Sequence, residues 1–182
     1  VKVYRFNSGT GELNDASEAI VPDGGGPRHF SLHPTGRFAA SNNELTSEVT
    51  VFRRSIASGE LEPFQQISTL PDGFDGRRST AECLYHPGGQ FLYVSNRGHD
   101  SIAVYSVNQN SGELTRVEVE PTGGMEPRNF IIDPTGRWLL AENQNSSTVH
   151  VFAIDQQTGA LEATGNSIQT GKPVCIRMIP ME

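Results

Sequence analysis

The sequence predicts an all-β chain built from four-stranded antiparallel sheets, and three observations carry that prediction. A proline-glycine turn recurs as His33-Pro34-Thr35-Gly36, His86-Pro87-Gly88-Gly89 and Asp133-Pro134-Thr135-Gly136, with its prolines 53 and 47 residues apart. A second turn glycine recurs at Gly11, Gly59, Gly112 and Gly159, spaced 48, 53 and 47 residues. Short apolar runs of strand length lie between these anchors, and the 182 residues hold 19 glycines and 11 prolines, a composition that favours turns over helices. A four-strand unit recurring at about 40–50 residues is the signature of a β-propeller blade.

The elements follow in order. Val1 to Phe6 alternates, and Asn7 to Leu13 turns it into a second strand, so 1–22 reads as the last two strands of a blade. Residues 23–70 read as a whole blade. Its strands are Phe30-Ser31-Leu32, Phe38 to Ser41, Val49 to Phe52 and Phe64 to Thr69, with a polar loop from Asn42 to Ser47. Residues 71–122 and 123–170 repeat that order, with third strands Ile102 to Tyr105 and Val149 to Phe152. Gly171 to Arg177 matches a further first strand, so 171–182 is expected to open the ring-closing blade. Two strands, then three sets of four, then one, describe a partial propeller: about three full blades plus pieces of two others. The expectation is the C-terminal half of a ring of about seven blades. Its partner would be a missing N-terminal half, and alone it would expose blade faces meant for burial.

Bulk properties exclude several functions. A formal charge of −7 argues against a nucleic-acid or anionic-membrane surface. No apolar run is long enough to cross a bilayer, and no basic-plus-apolar leader opens the chain, so a cytoplasmic protein is expected. Cys83 and Cys175 sit in apolar strand patterns and are expected as buried thiols in a reducing compartment. Gly24-Gly25-Gly26 precedes a strand rather than a helix, no serine sits in a nucleophile elbow, and the histidines lack metal-site spacing. Neither a metal nor a cofactor is expected.

Comparing the copies separates construction from chemistry. Nine residues after each turn proline stand Asn43, Asn96 and Asn143, the same residue three times and so structural. His33, His86 and His150 also read as structural. One residue beyond the asparagines stand Glu44, Arg97 and Gln144. Six before the prolines stand Arg28, Ala81 and Arg128, and five before stand His29, Glu82 and Asn129. A hairpin about each turn sets Arg28 opposite Asn43, Ala81 opposite Asn96 and Arg128 opposite Asn143, so the varied polar positions share one end of each blade. First strands lie nearest a propeller axis. Arg28, His29, Glu44, Glu82, Arg97, Arg128 and Gln144 therefore meet at one rim of the channel. Arg77 and Arg78 arrive there on a connector, and His99 and Asp100 follow Arg97 on its loop. Clustered arginines suit carboxylate or phosphate recognition, and a carboxylate with a histidine suits proton transfer to or from water. Each charge also has a plainer reading, as a structural ion pair between blades.

At these residues the chain resembles the seven-bladed propeller lactonases, a family that includes bacterial 6-phosphogluconolactonases and fungal carboxy-muconate cyclases. The matching stretches are Gly26-Pro27-Arg28-His29-Phe30, Asn43-Glu44-Leu45, Ala81-Glu82, Tyr93 to Val104, Pro127-Arg128 and Pro173-Val174-Cys175. The resemblance implies a functional cluster at His29, Glu82, Arg128 and a connector arginine, Arg78 in preference to Arg77. It implies hydrolysis of an anionic sugar-acid lactone, 6-phosphogluconolactone first, within the pentose phosphate pathway. Glu82 or His29 would be the general base. Arg28, Arg97 and Arg128 would hold the anion, with Glu44, His99 and Gln144 completing the substrate site. A lactonising cyclase on the same rim and a non-catalytic propeller platform are the alternatives. Family members are about twice this length, so some channel-lining residues are expected elsewhere.

Overall fold

The repeats fold into sheets in chain order. In the computed structural model, which describes residues 1–179, β1 (Lys2–Phe6) and β2 (Leu13–Glu18) pair as a two-stranded sheet. The first full blade is β3 (Pro27–Leu32), β4 (Phe38–Asn43), β5 (Glu48–Arg54) and β6 (Leu61–Ser68). The second is β7 (Thr80–Tyr85), β8 (Phe91–Asn96), β9 (Ser101–Val107) and β10 (Leu114–Pro121). The third is β11 (Pro127–Ile132), β12 (Trp138–Asn143), β13 (Thr148–Ile154) and β14 (Leu161–Gln169). Every neighbouring pair is antiparallel, and no helix occurs among the described residues.

Strand alternation lets the middle blade serve two cores. Cys83, Tyr85, Leu92, Val94, Ala103 and Tyr105 pack on Ala40, Val49 and Val51 of the first blade. Phe91, Tyr93, Ile102 and Val104 face the other way, onto Phe130, Leu139, Ala141 and Phe152 of the third. The inner strand β7 touches both β3 and β11, whereas β6, β10 and β14 form the outer edges of their sheets. The first strands thus converge, as a radial arrangement requires.

The turns also join blades. His33 donates from Nε2 to the Gly89 carbonyl at 2.9 Å, and His86 donates to the Gly136 carbonyl at 2.8 Å. Both accepting glycines have positive φ, 79° and 72°, a region costly for other residues, and it is this turn that aims the carbonyl at the neighbouring blade. In the third blade Asp133 replaces the histidine and accepts N–H groups of Thr135, Arg137 and Trp138 within its own turn. The repeated asparagines are fully buried and bond their loops: Asn43 Nδ2 to Thr50 Oγ1 at 3.0 Å, Asn96 Nδ2 to the Thr69 carbonyl at 2.9 Å, Asn143 Nδ2 to the Thr122 carbonyl at 3.3 Å.

Part of the face at each end of the array is uncovered, although Ala19, with Val1 and Val21, packs over Ala39 and Phe52 of the first blade. Phe30 is 41% exposed and Leu32 52%, although their counterparts Cys83 and Phe130 are 0% and Tyr85 and Ile132 only 7% and 8%. Trp138 is 44% exposed where Phe38 and Phe91 are 5%. The same positions are buried wherever another blade covers them.

Three expectations need correction. The predicted register fails at the start of each first strand: Pro27, Thr80 and Pro127, not Arg28, Ala81 and Arg128, stand opposite Asn43, Asn96 and Asn143. A bulge in each strand absorbs one residue. Cys175 is exposed rather than buried, because 171–179 joins no sheet; Cys83 is buried as expected. The strand expected at 171–182 is therefore not formed over 171–179, which has no ladder partner, and 180–182 lie outside the described residues.

Candidate active site

The bulges fall on the positions that vary between copies. They lie between Pro27 and Phe30, Thr80 and Cys83, and Pro127 and Asn129. A bulge re-aims side chains and leaves ladder groups to find other partners. His29 N–H donates to Asn42 Oδ1 at 2.9 Å, and Glu82 N–H donates to Ser95 Oγ at 3.0 Å. Side chains replace the ladder for these two amides, so the first two strands can turn polar groups outward there.

His29, Glu82 and Asn129 hold one position on three successive first strands, and their side chains meet. His29 Nδ1 lies 2.5 Å from Glu82 Oε1. That oxygen also accepts the Cys83 N–H at 3.0 Å, and Asn129 Nδ2 donates to Oε2. Glu82 is 3% exposed and accepts on both oxygens, as a carboxylate does. Nδ1–H of His29 therefore donates to it. The His29 side chain remains one-third exposed (33%), and its Nε2 has no hydrogen-bond partner among the described residues.

The arginines divide into tied and free. Arg28 donates from Nη1 to the Ala81 carbonyl at 2.7 Å and lies 3.6 Å from Glu44. Burial, and after it the like charges of Arg97 and Arg128, pull Arg28 below the usual arginine value, against the pull of Glu44. Arg97 is only 10% exposed. It bonds Glu44, Ser79 Oγ at 2.7 Å and the Thr80 carbonyl at 3.2 Å, and it lies 3.9 Å from Glu126. Arg97 thus ties the connector to two carboxylates. Arg128 makes no side-chain hydrogen bond among the described residues.

The remaining expected residues are spread more widely. Arg78 is exposed and, among the described residues, donates only to the Phe74 carbonyl, at 3.3 Å. Arg77 bonds Glu126, which also lies beside Arg97, so the contacts favour Arg77 over Arg78 as the connector arginine. His99 sits edge-on to Phe74, 4.9 Å between centroids, and bonds Ser101 Oγ at 2.8 Å; it holds its loop and does not touch the His29–Glu82 pair. Gln144 donates its backbone N–H to the Glu126 carbonyl at 3.0 Å, as Arg97 does to Ser79 and Glu44 to Gly26. The connector runs tight over this loop: a Cβ on Gly98 would lie 1.7 Å from the Arg77 carbonyl oxygen.

Asn129 and Glu126 belong to this cluster and were not singled out from the sequence as site residues. Asn129 shares the position of His29 and Glu82, which was the available signal. Glu126 is positioned by backbone geometry: φ is 60°, and its N–H donates to Asp100 Oδ1 at 2.7 Å.

Comparison with known proteins agrees with this architecture. A family model described as "Lactonase, 7-bladed beta-propeller" matches residues 1–178. The 6-phosphogluconolactonase of Bacillus subtilis (strain 168) is 36% identical over 178 residues, 98% of this chain and 51% of the relative. The 6-phosphogluconolactonase of Pectobacterium carotovorum is 38% identical over 135 residues, 73% of this chain and 40% of the relative. The crystal structure of a Pseudomonas aeruginosa periplasmic gluconolactonase superposes with a TM-score of 0.88 at 36% identity, covering 97% of this chain and 50% of that one. The chain spans about half or less of the length of these curated relatives. With the match running through all three blades and both flanking segments, the chain belongs to the seven-bladed β-propeller lactonase family.

Proposed function

We propose that this chain carries the catalytic rim of a lactone hydrolase acting on an anionic sugar-acid lactone, with 6-phosphogluconolactone as first candidate. The observation that carries the reading is the His29–Glu82 pair, 2.5 Å apart, with the carboxylate buried and Nε2 of the imidazole unpartnered. The order of burial assigns the roles. Glu82 is held by three donors and cannot reach substrate, so it orients His29 and stabilises its charged form. His29 is the base.

In the reaction, His29 Nε2 takes a proton from water as the water oxygen attacks the lactone carbonyl. The carbonyl oxygen gains negative charge, and Arg128 is the guanidinium free to meet it or the substrate's anionic group. Collapse breaks the acyl C–O bond of the ring. The imidazolium returns its proton to the departing ring oxygen, leaving an open hydroxy acid. Arg28 and Arg97 contribute field rather than contact, since Glu44 and backbone carbonyls already engage them. Four arginines (28, 77, 97, 128) face three glutamates (44, 82, 126), a locally cationic rim on a chain of charge −7. The uncovered blade faces support further blades as the covering partner. The exposed free thiol of Cys175 supports a reducing, cytoplasmic setting.

The test is hydrolysis of 6-phosphogluconolactone and of its unphosphorylated analogue by a complete ring containing this chain. His29→Ala and Glu82→Gln are each expected to lower kcat by about 10²–10⁴. Arg128→Ala is expected to weaken the phosphorylated substrate more than the neutral one. Wild-type rates in both His29→Ala and Glu82→Gln would sink the assignment. Carboxy-muconate in the same assay detects a cyclase instead.

A further inference from the structure

One buried carboxyl group has no part in the mechanism above. Glu142 closes the apolar run Trp138-Leu139-Leu140-Ala141 on β12 and is fully buried. Its Oε1 accepts the Ile176 N–H at 2.9 Å, from the segment after the third blade. Its Oε2 is buried with no hydrogen-bond partner among the described residues. The equivalent residues of the other blades are Asn42 and Ser95, both neutral and both bonded.

Directly across the ladder from Glu142 stands Asn129. Opposed residues of an antiparallel pair present their side chains on one face, with Cβ atoms about 4.5–5.5 Å apart. Asn129 donates its amide N–H to Glu82 Oε2, but its own Oδ1 is buried and unpartnered. Two partnerless acceptors therefore stand on opposed residues, with no donor for either among the described residues. One proton answers both.

We propose that Glu142 is a positioning residue: its carboxyl group holds a proton on Oε2 and donates it to Asn129 Oδ1, fixing the amide so that its nitrogen faces Glu82. A line of side chains then runs His29, Glu82, Asn129, Glu142 and ends on the Ile176 amide, crossing three blades. Without that proton, the Glu142 carboxylate competes with Glu82 for the single amide nitrogen. Asn129 turns towards Glu142, and Glu82 loses a donor and faces an amide oxygen instead.

The surroundings of Glu142 favour the protonated form. Asn129 faces it from β11 and Val149 from β13, neither of them charged. Arg177, on the terminal segment, and Glu82, on β7, are the charged groups that act on it. Burial is the largest influence and pushes the carboxyl group up to about 7; the Ile176 N–H and Arg177 oppose it, and Glu82 adds to it.

The protonation of Glu142 stands apart from the lactonase reading; only its effect on rate rests on it. The experiment therefore has two readouts. In this chain, carbon-13 NMR of glutamate carboxyl groups is followed between about pH 4 and pH 9, together with the Asn129 side-chain amide and the His29 ring nitrogens. One carboxyl resonance should titrate near neutrality and vanish in Glu142→Gln. The Asn129 amide should move with the same midpoint in wild type and hold still in Glu142→Gln, whose amide donates at every pH. In Asn129→Ala the Glu142 midpoint should shift. Titration of Glu142 among the exposed glutamates, or an Asn129 amide indifferent to it, overturns the proposal whether or not the protein is a lactonase. In the complete ring, lactonase activity should fall as pH rises through the Glu142 midpoint. Glu142→Gln should keep kcat within about threefold at pH 6 and lose that fall, whereas Glu142→Leu should lower kcat at every pH. An alkaline fall that persists in Glu142→Gln overturns the link to Glu82.

Discussion

A single side chain at the rim is defined more by what buries it than by its type. Glu82 and Glu142 are both buried glutamates, yet three donors hold Glu82 while Glu142 has one. Burial with few donors favours the neutral form. For stability this has a sign. Glu142 is raised from its ordinary 4.5 to about 7, so the folded state holds its proton more tightly than the unfolded chain. Its contribution is complete below about pH 4.5 and is lost as pH rises through about 7. Asp133 and Asp155, both lowered, act in the opposite direction but at lower pH, where their stability is lost as pH falls through the acid range. Between about pH 5 and 7 Glu142 should therefore withdraw on the order of a few kcal/mol, with Glu120, also raised, acting with it and His33, lowered by burial, against it, and Glu142→Gln should remove the Glu142 part of the slope. Urea midpoints across the range check it; an unchanged slope in the variant excludes Glu142 as its source.

At the scale of strands and turns, close approach sets the architecture. Gly98 lies under the connector, and a methyl group there meets the Arg77 carbonyl oxygen at 1.7 Å, backbone rather than the end of a flexible side chain. Gly98→Ala should push the connector off the Arg97 loop. It should destabilise the chain by about 1–3 kcal/mol and loosen Arg97 from Ser79, both readable by thermal melts and hydrogen exchange of the Arg97 amide. An unperturbed melt with native exchange would show that the connector is free to yield. How far the sequence disclosed these elements follows from the same physics. Strand order and turns were legible because Pro34, Pro87 and Pro134 and the turn glycines repeat, and repetition survives without knowledge of contacts. That His29, Glu82 and Asn129 hold one position on successive first strands was legible for the same reason. The bulges were not, because nothing local in Pro-Arg-His or Thr-Ala-Glu distinguishes a bulged strand from a regular one; the ladder partner decides. Arg97 looked like a ligand for anions and is engaged by Glu44 and Ser79, a pairing across blades that spacing alone does not reveal. Cys175 lies in an apolar run that reads as a strand, but a strand needs a neighbour to pair with, and this segment has none among the described residues.

For the whole molecule, the two end faces dominate behaviour in solution. Phe30 and Leu32 on one side and Trp138 on the other present apolar surface at positions that the inner seams bury. Surfaces of this kind associate. The isolated chain should show a sedimentation coefficient that rises with concentration, and Leu32→Glu together with Trp138→Glu should suppress that rise while leaving the β-sheet circular dichroism unchanged. A monomer at all concentrations would show that the faces are tolerated in water. What the faces would accept is narrower than their apolarity suggests. The histidine bonds between turns all run one way, from His33 to the second blade and from His86 to the third. The array consequently has a head and a tail, like a polymer with unlike end groups. If a second copy were stacked head to tail, Asp133 would take the histidine's place at the new joint, with its oxygens already committed as acceptors. The incoming copy would lead with its β1–β2 sheet, and its Gly36 carbonyl already accepts Arg54 Nη1 at 3.2 Å. The third turn thus offers no histidine donor to whatever lies beyond it, unlike the two joints inside the chain.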